Sequence, residues 1–93
     1  MNKTELKRVK EEIDREFCAM ENAVKIIPNL AQNKAVIIRD FSVAKGAFLA
    51  GMNMLALANM DEYKMAWNKY REKFDVYDER YARIFQSAFC KLK

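Results

Sequence analysis

By residue type, two clusters of carboxylates are the groups in this chain best suited to chemistry. Glu11, Glu12, Asp14 and Glu16 crowd one stretch, and Glu72, Asp75, Asp78 and Glu79 crowd another. Carboxylates on facing helices can hold a pair of metal ions, but such bundles use Glu-x-x-His pairs pointing inward. The chain has no histidine. That removes the commonest general base, the Ser-His and Cys-His nucleophile pairs, and most zinc and iron sites. Two carboxylates alone can hydrolyse a glycoside, but they need a cleft that a small helical bundle rarely supplies. Both clusters fall opposite the apolar residues of their own segments, so they are expected to face water. Gly46 and Gly51 sit within a helical pattern with no Gly-Lys-Ser/Thr after them, so there is no phosphate loop. The residues therefore predict no enzyme, no metal site and no cofactor.

A second pattern lies in the last third of the chain. Tyr63, Trp67, Tyr70, Phe74, Tyr77, Tyr81 and Ile84 recur at alternating steps of four and three. Such spacing places all seven along one seam of a single helix. Basic residues flank the seam on one side: Lys69, Lys73, Arg80 and Arg83. Together with Tyr70 and Tyr77 they could hold phosphates while bases stack on the rings. These six residues are the candidate nucleic-acid contacts. The competing expectation is that the aromatics are core and the bases pair with acids such as Glu16 and Glu21.

Three elements must position these residues. Leu6, Val9, Ile13, Phe17, Met20, Val24 and Ile27 give a helical period over about 4–27, with Thr4 as N-cap and Pro28 as terminator. A second helix spans about 30–58. Asn29 and Gln32 have capping-box spacing. Its second half, from Gly46 to Ala58, is apolar almost all round, with a narrow polar strip through Gln32, Arg39, Gly46 and Asn53. So little polar surface predicts a helix buried on several sides. Its apolar run of about 13 residues falls short of the roughly 20 needed to cross a membrane. A third helix spans about 61–91, capped by Asn59 with Glu62. The short connection before it forces helices two and three to be antiparallel neighbours.

The predicted fold is an all-α, up-down-up three-helix bundle with coiled-coil-like packing, forming one domain over residues 1–93. The first helix is about 36 Å long and the third about 46 Å, so the third overhangs by about two turns. That overhang carries Ile84, Phe85, Ala88, Phe89 and Leu92. Exposed apolar clusters mark interaction sites, so these five are the candidate protein interface. Met52, Met54 and Met60 add adaptable contact surface nearby.

Composition agrees. In 93 residues, 52% are hydrophobic, with two Gly and one Pro, which suits an ordered helical chain. The net charge of +4 is spread thinly and concentrates nowhere as a dedicated nucleic-acid binder's would. The two cysteines form no CxxC pair. On helices one and three they would lie on the order of 22 Å apart, too far for a disulfide. Cys18 is expected to be a small core side chain. The opening residues, Met1 to Lys7, have no apolar leader core, which with the cysteine usage predicts a cytoplasmic location. The functional expectation is a non-catalytic, homodimeric protein-interaction module of regulatory or accessory type, with nucleic-acid binding as the alternative.

Overall fold

A computed structural model describes residues 2–25 and 31–90, without the side chains of residues 31–33, 89 and 90. It consists of three helices: α1, Lys3–Lys25; α2, Ala31–Ala58; and α3, Met60–Cys90. They pack as an all-α three-helix bundle, a rod with extents of 50 × 19 × 19 Å.

Two asparagines set the helix starts. The Glu5 amide donates to Asn2 Oδ1 at 2.8 Å, and the Leu6 amide donates to the Asn2 carbonyl at 3.0 Å. Asn2 is therefore the N-cap of α1, and Thr4 falls inside the first turn. Asn59 serves two helices at once. Its amide closes the last turn of α2 on the Leu55 carbonyl at 2.8 Å, while its Oδ1 accepts the Asp61 and Glu62 amides at 3.1 and 3.2 Å. Because the Asn59 amide is already used, Glu62 does not reach back to complete a capping box. It pairs instead with Lys10 of α1 at 3.0 Å. The expected Asn29–Gln32 box and the Pro28 joint lie outside the described residues.

Cross-helix bonds fix the directions. Along α2, the Lys34–Ser87, Ser42–Tyr81 and Lys45–Asp78 pairs have sequence separations of 53, 39 and 33. A separation that shrinks along the helix means antiparallel packing. The two α1–α3 pairs, Asp14–Tyr70 and Glu21–Tyr77, share a separation of 56, which means parallel packing. α1 and α2 are therefore antiparallel as well, giving the up-down-up order.

The core is built on one stripe of α2: Ile37, Phe41, Ala44, Phe48, Met52 and Leu55, each 3% exposed or less. Against it pack Ile13, Phe17, Met20, Ala23 and Val24 of α1, with Tyr70 of α3. Gly51 lets α1 approach α2 closely. A Cβ there would lie 2.8 Å from Ile13 Cγ1. Cys18 is exposed, not a core residue. It directly follows Phe17, so the 100° turn between helical neighbours carries it off the buried stripe.

Candidate protein interface

The aromatic seam of α3 faces inward. Tyr70 is 6% exposed, and Tyr63, Trp67, Phe74, Tyr77 and Tyr81 are half-buried against the core. Phe48 of α2 sits at the hub. Its ring centroid lies 5.4 to 5.8 Å from those of Phe17, Tyr70, Phe74 and Trp67. Farther along, Tyr81 stacks on Phe41 at 4.5 Å.

The tyrosine hydroxyls emerge at the bundle's edges and form rungs to the other helices. Tyr70 donates to Asp14 at 2.9 Å. Tyr77 donates to Glu21. Tyr81 shares a 2.8 Å bond with Ser42. Asp14 and Glu21 therefore brace α3 against α1 and are not purely solvent-facing acids. The rungs shift the ionisation of the groups they join. Burial, and then the Asp14 hydrogen bond, push the Tyr70 hydroxyl well up. The Glu21 hydrogen bond, then burial, push Tyr77 up to about 12. Glu21 is held below the usual carboxylate range, first by the Tyr77 hydrogen bond and then by Lys25.

A tyrosine whose folded pKa is raised stabilises the fold fully below its unfolded value of about 10 and loses that contribution as pH climbs toward the folded value. Urea midpoints should therefore fall between about pH 10 and 12. Tyr70→Phe with Tyr77→Phe should flatten that fall. An identical alkaline slope in wild type and double variant would show that the rungs contribute nothing.

The bases proposed for nucleic-acid contact keep their heads in solvent. Lys69 lies 3.7 Å from Asp14 and 5.1 Å from the Tyr70 ring centroid. Arg83 pairs with Glu79 at 2.6 Å. Lys73 acts electrostatically on Glu21, and Arg80 is exposed. Tyr70 and Tyr77, the intended stacking partners, are instead packed against Phe17 at 4.6 and 5.6 Å.

The end of α3 is better covered than helix lengths alone predict. By the α1–α3 register, Lys25 lies level with Tyr81, so α3 does run past the described end of α1. But α2 stays alongside, because Lys34 Nζ donates to Ser87 at 2.7 Å. Ile84 is 6% exposed and thus buried. Ala88 is half-buried. Phe85 is 39% exposed, with its ring 6.0 Å from that of Tyr81. The side chain of Phe89, and all of Leu92, lie outside the described residues.

A second apolar surface lies elsewhere, on the outward face of α2. Val36, Val43, Ala47, Ala50, Met54 and Leu57 recur at steps of seven, four, three, four and three, and all six are exposed. Leu57 is 91% exposed, Val43 67% and Met54 51%. The expectation that α2 is buried on several sides is corrected here: α1 and α3 cover one side and leave the other open. From Lys34 to Ala58 this helix is also long and apolar enough to cross a membrane, longer than the 13-residue run suggested. In the bundle its inner face forms the core, Lys45 pairs with Asp78 at 2.6 Å, and Arg39 and Asp40 lie on its surface.

Val36, Val43 and Leu57 were not among the residues singled out from sequence. Their seven-residue recurrence was readable, but in a helix apolar all round it cannot be told from the core stripe. No protein-family model, curated protein or solved structure matches this chain.

Proposed function

We propose that this chain is a non-catalytic protein-interaction module, a small regulatory or accessory protein of the cytoplasm, and that it works through the outward face of α2. One observation carries the reading: two apolar stripes on one helix, of which the bundle covers one. A contiguous apolar face of this kind marks an interaction site in a soluble protein, and its two most exposed side chains, Val43 and Leu57, contribute little to the fold's own packing.

The test is a double charge substitution, Val43→Lys with Leu57→Lys. Both side chains are mostly in water, so thermal stability should hold within about 0.5 kcal/mol. Association should be lost, both in light scattering of the pure protein and in capture of partners from the native host. A double variant that keeps its oligomeric state and every captured partner overturns the reading. Nucleic-acid binding would appear instead as salt-dependent retention on mixed DNA and RNA, weakened by Lys73→Ala with Arg80→Ala.

A further inference from the structure

We infer that the occupant of the α2 face is a second copy of this chain, docked antiparallel about a twofold axis that passes between Ala47 and Ala50. The inference rests on the interaction reading above and names its partner and geometry.

The first support is self-complementarity. Small residues, Gly46, Ala47 and Ala50, lie at the middle of the exposed face, and larger ones, Val36, Val43, Met54 and Leu57, lie toward its ends. A heptad seam read antiparallel about that midpoint sets Ala47 against Ala50 and Val43 against Met54, twice each. The central positions are then filled by apolar side chains, as a twofold interface requires, while at the rim Leu57 falls opposite Asp40 and Val36 lies past the end of the partner helix.

Charge is the second support. A twofold axis brings each nearby residue to its own copy, so a charge there would repel itself. Between Gly46 and Asn59 the helix carries no charge at all, and its nearest cation, Lys45, is turned to Asp78. The same lack of cations gives nucleic acid nothing to hold on this face. Arg39, exposed beside the stripe, would be costly against lipid but can reach water at the rim of a protein interface.

Gly46 supplies the third. It sits exposed in mid-helix, where glycine is a much poorer helix former than alanine. A Cβ added there would meet nothing within 4 Å, so this chain's own packing gives no reason for it. A second helix approaching along the Ala47–Ala50 centre gives one. From Val36 to Leu57 the stripe is about 32 Å long and, with side chains, about 10 Å wide. Two such faces amount to about 640 Å², the size of a weak, reversible association rather than of an obligate one.

Sedimentation of the full chain tests self-association, and Gly46→Leu tests its geometry. The leucine has room in the monomer, so thermal stability should stay level or rise, while the dimer should weaken at least tenfold. Direction is read by disulfide trapping in a Cys18→Ser, Cys90→Ser background. Val43→Cys mixed with Met54→Cys should give the mixed disulfide, and Val43→Cys alone should give none. Predominant self-crosslinking of Val43→Cys, or association indifferent to Gly46→Leu, overturns the inference. A chain that stays monomeric at all concentrations overturns it too. If that monomer still loses a captured partner on Val43→Lys with Leu57→Lys, the interaction reading survives without the second copy. If it instead loses binding to phosphatidylcholine vesicles, the face meets lipid and both fail.

Discussion

Phe48→Ala should leave the bundle at the edge of folding. The side chain is fully buried and its ring meets four others, one on α1 and three on α3. No other residue joins all three helices through so many aromatic contacts among the described residues. Removing a buried phenylalanine costs about 3–5 kcal/mol when the site cannot collapse. Here the site cannot, because Phe17 is anchored on α1, Tyr70 and Phe74 are anchored on α3, and the Tyr70 rung to Asp14 resists inward movement. A chain of this size has about 5–14 kcal/mol in all, so the loss takes about a fifth of the total or more. Urea titration followed by far-UV circular dichroism should show it directly. Val76→Ala, at a side chain 58% exposed on α3, is the matched control and should shift stability by less than about 0.5 kcal/mol. A Phe48→Ala loss below about 1 kcal/mol would mean that the aromatic contacts are not what couples the helices.

The helices and their order were legible because the buried stripes of α1 and α3 repeat at a helical period that nothing else on those helices imitates. Ile13, Phe17, Met20 and Val24 give α1, and the tyrosine-rich seam gives α3. Chain reversal at Asn59 followed from the shortness of the link. Finer features were hidden for physical reasons. Asn2 and Thr4 are both competent caps, and the choice between them depends on which amide the chain frees first. Cys18 differs from a core position by one step of 100°, which apolar character alone does not resolve. Asp14 read as solvent-facing because its partner Tyr70 is 56 residues away, and Glu21, expected to pair with a base of α3, accepts from Tyr77 instead.

The candidate interface was the least legible part. Sequence reasoning placed it by length, at the end of α3, since α3 outruns α1. It took both shorter helices to fall short of that end, whereas the Lys34–Ser87 bond brings α2 level with it. It also took the apolar character of α2 as a sign of deep burial. A helix flanked by two others has a third side, and in this chain that side carries an apolar stripe of its own. Hydrophobicity sets how much surface a helix must hide, whereas the number of neighbours sets how much it does hide. The difference between the two is the surface left for a partner.

The two glycines of α2 put that distinction to a direct test inside the fold. Gly51 faces α1, and Gly46 faces away. Gly51→Val should destabilise the bundle by about 1–3 kcal/mol, the usual cost of overpacking a well-filled core. Its Cβ would lie 2.8 Å from Ile13 Cγ1, closer than two such carbons can sit, and the β-branch adds two methyls to the same space. Ile13 has little freedom to yield, being 2% exposed. Helix propensity works in the opposite direction, since valine is a better helix former than glycine by a few tenths of a kcal/mol, so the steric term decides the sign. Ile13→Ala alone should cost about 2–4 kcal/mol as a cavity. Combined with Gly51→Val it should cost clearly less than the two added together, because the valine fills the space that the isoleucine leaves. A coupling of at least about 1 kcal/mol in that double-mutant cycle, measured by urea titration, is the expected result. Additive losses would show that α1 and α2 are not in close contact at Gly51, and with that the register that turns Val43, Ala47, Ala50 and Leu57 outward would be wrong.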